Sequence, residues 1–142
     1  MMKLALEEAG KSGKDISIGA VIVKDGKIIA SAHNQKEITK DITGHAEIIA
    51  IRKAEQKLCN WRLNDCEIYV TLEPCPMCAW AIIQSGIKTV YFGSYDRDYG
   101  GLGSKIDLRT IANSKLKVYG GIMETECDNM LKNYFKQMRK KF

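Results

Sequence analysis

The middle of the chain reads EIYVTLEPCPMCAWAIIQSG at residues 67–86. Its first six residues, Glu67–Leu72, are mostly β-branched, aromatic or aliphatic, which predicts a strand. Pro76 favours the first turn of a helix, where its missing N–H costs little, and Gly86 favours the end of that helix. The stretch therefore predicts a strand, a short connection and a helix, with a C-x-x-C pair where the helix begins.

The segments on either side alternate between strands and helices. Asp25-Gly26 lies between two apolar runs, Ser17–Val23 and Lys27–Ala32, and this pattern predicts a β-hairpin. The other predicted elements are helices at 1–10, 44–58, 107–111 and 124–138, strands at 88–92 and 116–119, and loops at 33–43 and 94–105. A hairpin followed by alternating strands and helices predicts an α/β fold: a three-layer α/β/α sandwich whose mixed five-stranded sheet carries helices on both faces.

The composition is typical of a globular protein. The chain has 142 residues, of which 45% are hydrophobic and 27% charged, and we expect one domain over 1–142. No apolar run approaches the length of a membrane span. Glu7 and Glu8 interrupt the region where a signal peptide needs an apolar core, so we expect a cytoplasmic protein.

The charge is mildly basic, with a net value of +5 that is compatible with a polyanionic partner. No acidic residue follows Asp128, whereas five cations do: Lys132, Lys136, Arg139, Lys140 and Lys141. These cations fit equally well a solvated helix end that complements the helix dipole and a patch that contacts phosphates.

Five cysteines without a secretory signal favour reduced thiols over disulfides. Cys59, Cys66 and Cys127 lie outside the C-x-x-C pair, and we expect all three to be small buried apolar residues.

The pair Cys75 and Cys78 places two sulfurs close enough to bind one metal ion. Alone, a C-x-x-C pair also fits a structural zinc site or a redox pair. A structural site needs a fourth ligand, and a redox pair has no need of the H-x-E motif formed by His45 and Glu47. We therefore predict one catalytic Zn²⁺ per chain, bound by His45, Cys75 and Cys78, with a fourth position open for water.

Glu47 is the predicted catalytic residue. Its carboxylate would take a proton from the activated water and deliver it to a ring nitrogen, so that water adds to the amine-bearing carbon and ammonia leaves. The order H-x-E and then P-C-x-x-C is the signature of zinc-dependent nucleobase deaminases.

The chain resembles the bacterial tRNA-specific adenosine deaminases, of the cytidine/deoxycytidylate deaminase superfamily, nearly from end to end. The matching motifs are Ile18–Val21, His33-Asn34, His45–Ile48, Trp61–Leu63, Tyr69–Ala79, Phe92-Gly93, Asp96, Gly100, Gly103-Ser104, Gly120–Ile122 and Tyr134-Phe135. The resemblance implies that the chain converts the wobble adenosine of a tRNA anticodon loop to inosine. It also implies a homodimer whose substrate lies across both subunits.

The resemblance assigns roles to individual substrate-binding residues. Asn34 would read the flipped base through its amide, the backbone of Ala46 would contact that base, and Asp96 would lie against the ribose. The remaining contacts are rings for the anticodon loop from Tyr134 and Phe135, and cations for phosphates from Arg139, Lys140 and Lys141. Loop capping by Asn34 and helix-face packing by Tyr134 and Phe135 are the alternatives.

Several positions depart from the family pattern. Gln35, Tyr95 and Asp98 stand where relatives commonly have basic residues, and Asp98 would repel a phosphate. Trp80 replaces a small residue, and we expect it to fill space near the zinc helix. Two other functions stay open: a deaminase of a free base or nucleoside such as guanine or cytosine, and a catalytically silent, zinc-stabilised binding module. An intact Glu47 argues against the silent module.

Overall fold

The computed structural model describes residues 1–140 and contains a mixed sheet of five strands. They are β1 (Gly19–Lys24), β2 (Lys27–His33), β3 (Cys66–Leu72), β4 (Thr89–Ser94) and β5 (Lys117–Tyr119). Their order across the sheet is β2-β1-β3-β4-β5. β1 pairs antiparallel with β2 and β3, whereas β3, β4 and β5 run parallel. The loops that follow β3 and β4 therefore meet at the same edge of the sheet.

Six helices accompany this sheet within residues 1–140. They are α1 (Met2–Ala9), α2 (Lys36–Thr39), α3 (Ala46–Leu58), α4 (Pro76–Ser85), α5 (Leu108–Ala112) and α6 (Glu124–Lys140). α3 and α4 pack on one face of the sheet, and α1 and α6 pack on the other. The predicted three-layer sandwich is confirmed. Among residues 1–140, no helix combines the length and apolarity needed to cross a membrane.

The alternation of side chains along the central strands builds both apolar layers. On one face, Ile22 and Ile68 pack in a cluster with Ala50, Ala54 and Ile82, which come from α3 and α4. On the other face, Val21 and Val23 form a second cluster with Met2 and Ala5 of α1 and with Cys127 of α6. Burial on both sides explains why β1 reads as a continuous apolar run.

The predicted loop at 33–43 contains the short helix α2. The carboxylate of Asp15 accepts hydrogen bonds from the Glu37 N–H at 3.0 and 3.2 Å, and Lys40 ends the helix in the left-handed region with φ of 54°. The partner of Glu37 lies 22 residues away, so local sequence does not predict this helix.

Two side chains expected to be buried are exposed. Cys66 and Cys127 are buried as predicted, but Cys59 is exposed, because it follows the last turn of α3 in a left-handed conformation with φ of 52°. Trp80 is 44% exposed on the outer side of α4 and does not fill space beneath that helix.

α6 is anchored through its first half. Cys127 is its buried residue, and it packs so closely on Gly93 of β4 that any side chain at Gly93 would collide with its sulfur. The Ser94 hydroxyl donates a hydrogen bond of 2.6 Å to Asp128. Further along, the Tyr134 hydroxyl donates to the carbonyl of Lys14 at 2.9 Å. The last turns of α6 extend from these anchors along the opening of a pocket.

Candidate metal centre and active-site pocket

His45 and Cys75 occupy equivalent places in the fold. Each is the extended residue immediately before a helix, His45 before α3 and Cys75 before α4, and Cys78 lies in the first turn of α4. Because α3 and α4 pack side by side on the sheet, their first turns face each other. The fold therefore brings the two halves of the motif together, although they are 30 residues apart in sequence.

The three side chains fit one tetrahedral metal ion. His45 Nδ1 lies 3.7 Å from Cys75 Sγ and 3.5 Å from Cys78 Sγ, and all three ligand atoms lie within 4.8 Å of one another. A nitrogen and a sulfur bound to one zinc ion lie about 3.6 Å apart, given bonds of about 2.0–2.1 Å and 2.3 Å at the tetrahedral angle. The donor set of one imidazole and two thiols suits zinc better than a hard cation.

The two thiols differ in acidity. A hydrogen bond with the Cys78 thiol lowers the pKa of Cys75 to about 4, against the effect of burial and with help from His45. The same bond and burial raise the pKa of Cys78 well above its usual range. The hydrogen bond with Cys75 raises the pKa of His45. A metal ion that takes both sulfurs as thiolates therefore displaces a proton from Cys78.

Glu47 lies in the first turn of α3 beside these ligands and is only 4% exposed. Burial, with a contribution from the nearby Cys75 thiolate, raises the pKa of its carboxyl to about 7. A carboxyl whose pKa lies near neutrality can both accept and deliver a proton at neutral pH. Glu47 is therefore able to exchange protons beside the candidate metal site.

Asn34 follows β2 and reaches the start of α3. Its Oδ1 accepts the Ala46 N–H at 2.8 Å, so its side chain holds the first turn of the helix that carries Glu47. Asn34 is buried and lines the pocket, which leaves its Nδ2 amide as the group available to a ligand. Ala46 is fully buried, and its N–H is engaged by Asn34.

The pocket above these residues has a volume of about 790 Å³, within the roughly 300–1,000 Å³ range of small-molecule sites. His45, Glu47 and Cys75 form its floor, and Asn34 and Leu72 contribute to its walls. Its rim comes from the segment 14–16, from α2, from the loop after β4 and from α6.

Comparisons with known proteins identify the family. Residues 1–139 match the model of the MafB19-like deaminase family. The chain is 42% identical over 144 residues to the tRNA-specific adenosine deaminase of Bacillus subtilis (strain 168), an alignment that covers 99% of this chain and 89% of that protein. The chain belongs to the family of the tRNA-specific adenosine deaminases. The resemblance predicted from the motifs is confirmed.

Two solved deaminase structures share the fold. A structure from work on A-to-I editing by tRNA:A34 deaminases at the wobble position of transfer RNA superposes with a TM-score of 0.83 at 39% identity, covering 92% of this chain and 97% of that chain. The guanine deaminase of Bacillus subtilis superposes with a TM-score of 0.66 at 38% identity, covering 78% and 72%. The expectation of an enzyme is confirmed, which removes the silent binding module.

Three of the predicted substrate-binding residues lie at the rim of this deaminase's pocket. Asp96, Tyr134 and Phe135 line the pocket, and Phe135 is 47% exposed. The Tyr134 ring stands edge-on to Phe135 at 5.1 Å between centroids. Arg139 and Lys140 are exposed in the last turn of α6 beyond the pocket lining, and Lys141 lies outside the described residues.

The sequence reading missed Glu73, which is 2% exposed and lines the pocket beside the metal ligands. Its carboxylate accepts hydrogen bonds from the backbone of Asp96, Leu102 and Ser104 and from the Ser104 hydroxyl. The available signal was a carboxylate directly after an apolar strand, together with a glycine-rich loop after the next strand, β4.

Proposed function

We propose that this deaminase hydrolyses the wobble adenosine of a tRNA anticodon loop to inosine and releases ammonia. The observation that carries the proposal is the position of Glu47, a buried carboxyl with a pKa of about 7 beside the cluster of His45, Cys75 and Cys78. The substrate follows from the relatives, because proteins about 40% identical over nearly the whole chain are named tRNA-specific adenosine deaminases.

We infer that His45, Cys75 and Cys78 bind one Zn²⁺ per chain. The separations of 3.5 and 3.7 Å between Nδ1 and the two sulfurs support this inference. Bound zinc would lower the pKa of a coordinated water toward neutrality and so supply the nucleophile.

The chain's own residues move the protons and hold the base. The Glu47 carboxylate accepts a proton from the attacking water and delivers it to a ring nitrogen of the adenine, which makes the amine-bearing carbon electrophilic. The Glu47 carboxylate then takes the remaining proton from the added hydroxyl and delivers it to the amine, which leaves as ammonia when the C–N bond breaks and the carbonyl of inosine forms. Asn34 donates through Nδ2 to the base, and its Oδ1 bond to Ala46 keeps the amide in one orientation.

The RNA surrounding the target base would follow the rim. Asp96 would receive the ribose, Tyr134 and Phe135 would stack with anticodon-loop bases, and Arg139 and Lys140 would contact phosphates. The path is supported by the position of Asp96, Tyr134 and Phe135 around one opening, with Arg139 and Lys140 in the last turn of the helix that carries the two rings. A tRNA substrate also supports the predicted cytoplasmic location.

We also propose that the enzyme is a homodimer. Three exposed apolar side chains, Met77, Trp80 and Ile111, lie on α4 and α5, which pack against each other. Exposed apolar groups on neighbouring helices are typical of contacts between subunits. Sedimentation of Trp80→Glu would test this arrangement, since a charge in the interface should shift the dimer toward monomer.

A free base such as guanine is the second candidate substrate. The 38% identity to a guanine deaminase favours it, as do Gln35, Tyr95 and Asp98 at positions where the family resemblance implies cations. The lower coverage of that match, 78% of this chain, weighs against it.

Ammonia release distinguishes the two candidates. Purified zinc-loaded enzyme is given either an anticodon stem-loop with adenosine at the wobble position or a panel of free bases and nucleosides. We expect turnover of the stem-loop alone. Glu47→Gln is the control, and it should retain zinc while losing activity by a factor of about 10²–10⁴. Turnover of guanine or cytosine alone would refute the tRNA substrate and leave the metal assignment intact.

A further inference from the structure

Glu73 is a buried carboxylate that accepts four hydrogen bonds, and all four donors belong to the single loop that follows β4. Its Oε1 accepts the Asp96 N–H at 3.1 Å and the Ser104 hydroxyl, and its Oε2 accepts the N–H groups of Leu102 and Ser104 at 3.3 and 3.1 Å. A carboxylate that accepts several hydrogen bonds tolerates burial without a cation. Glu73 therefore closes both ends of the loop that follows β4.

The same loop packs against the metal-binding segment. The Gly101 N–H donates to the Pro74 carbonyl at 2.8 Å, and a side chain at Gly101 would collide with the backbone of Cys75 and Pro76. A side chain at Gly100 would collide with the Glu73 carboxylate. The loop is thus in contact with the segment that presents Cys75, and its position relative to the metal site is fixed by Glu73.

Asp96 is the pocket residue that this arrangement fixes. Its N–H is bound by Glu73, and its own Oδ1 accepts the N–H groups of Asp98 and Tyr99 at 3.2 and 3.1 Å. These two bonds form a tight turn that places Asp96 and Tyr99 at the rim of the pocket. A displaced Asp96 amide would therefore move the whole turn.

We propose that Glu73 is a positioning residue for substrate: its Oε1 holds the backbone of Asp96 so that the Asp96 carboxylate meets the sugar of the nucleotide whose base enters the pocket. This inference rests on the proposed function, because it requires a substrate that carries a ribose. Glu73 acts through Asp96 and does not touch the reacting atoms.

The Glu73→Gln substitution removes one of these four bonds selectively. With the amide oxygen in the place of Oε2, the bonds to Leu102 and Ser104 N–H remain. The amide nitrogen then lies in the place of Oε1, where the Ser104 hydroxyl can turn to accept from it, but the Asp96 N–H faces another donor. If the amide were flipped, its nitrogen would face the N–H donors of both Leu102 and Ser104. The orientation with the amide oxygen in the place of Oε2 is therefore preferred. Glu73→Gln should therefore fold and release only Asp96.

Ser104→Ala is the matched control. It removes the hydroxyl bond to the same carboxylate oxygen and leaves the Asp96 N–H bond in place. If Glu73 positions Asp96, the two variants should differ in substrate binding, although each loses one hydrogen bond to Oε1.

Amide hydrogen exchange tests the contact without substrate. In the zinc-loaded wild-type enzyme, the Asp96 amide should be protected, and Glu73→Gln should speed its exchange by at least about tenfold, since bonds to charged groups are among the stronger ones. Ser104→Ala should leave it unchanged. An Asp96 amide that is unprotected in the wild-type enzyme, or that exchanges equally in all three proteins, overturns the proposal.

A double-mutant cycle on stem-loop turnover tests the function of the contact. Glu73→Gln should raise KM about tenfold with kcat changed less than about threefold, because the ribose lies away from the reacting carbon. In an Asp96→Ala background, Glu73→Gln should add less than about twofold to KM. Additive effects, a loss of zinc, or a fall confined to kcat would show that Glu73 acts on the metal segment instead. Absence of wild-type turnover on the stem-loop would refute the proposed function and leave the exchange result standing.

Discussion

The bond between Asn34 and Ala46 should be measurable as stability. The Asn34 Oδ1 accepts the Ala46 N–H at 2.8 Å, and both residues are buried. Asn34→Ala removes the acceptor and leaves a buried N–H without a partner, a change that costs about 1–3 kcal/mol. The loss of a side chain that satisfies a helix N-terminus costs about 1 kcal/mol in other helices, so we expect a destabilisation of about 2 kcal/mol.

Urea unfolding followed by far-UV circular dichroism provides the assay. For a slope of about 2 kcal/mol per molar urea, the midpoint should fall by about 1 M. Fluorescence is the weaker probe, because Trp61 and Trp80 are already 58% and 44% exposed in the folded protein. All proteins are compared with equal zinc content, since bound metal adds to stability.

Asn34→Asp separates the two roles of this side chain. Aspartate keeps an oxygen acceptor for Ala46 at a helix N-terminus, where negative charge is favourable, so most of the stability should return. Both Asn34→Asp and Asn34→Ala lack the Nδ2 donor that we propose binds the base. Turnover should therefore be low in both variants. An Asn34→Ala midpoint within about 0.2 M urea of the wild type, or an equal loss of stability in Asn34→Asp and Asn34→Ala, would contradict the capping role of Asn34.

Three further predictions concern the metal and the rim. Cys78→Ser removes a thiolate from a three-ligand set, so after dialysis it should retain well below one zinc ion per chain. Metal analysis measures this content, and one zinc ion per chain would contradict the assignment. Tyr134→Phe removes the hydrogen bond from α6 to a loop carbonyl, so stability should fall by about 0.5–1.5 kcal/mol in urea while kcat stays unchanged. Replacing Arg139 and Lys140 with glutamine should reduce the slope of log affinity against log salt by about 0.7 for each lost phosphate contact, whereas Lys115→Gln, on another surface, should leave the slope unchanged.

Local sequence signals predicted the elements that carry the chemistry. α4 spans Pro76–Ser85 as predicted from its first proline and its closing glycine. The hairpin of β1 and β2 and the two helix starts that carry His45 and Cys75 also follow from residues close together in sequence. The approach of these ligands follows from the topology, because a mixed sheet with helices packed on one face brings their first turns together.

Hydrogen bonds between residues far apart in sequence could not be predicted from local sequence signals. Asp15 holds α2 through Glu37, 22 residues later, and Glu73 holds Asp96, 23 residues later. A polar residue in a loop or at a strand end gives no local indication of which backbone group it will satisfy. The exposure of Cys59 could not be predicted either, because it depends on where α3 ends and not on the apolar character of a thiol.

The anchoring of α6 separates the parts of this protein that evolution can change at different rates. Cys127 and Asp128 fix the start of the helix on β4, and substitutions there disturb the core. From Phe135 onward the helix is mostly exposed, so replacements cost little stability. A lineage can therefore exchange the surface that we propose contacts the substrate while His45 and Glu47 stay as they are. Two solved structures that share this scaffold bear the names of a tRNA deaminase and a guanine deaminase.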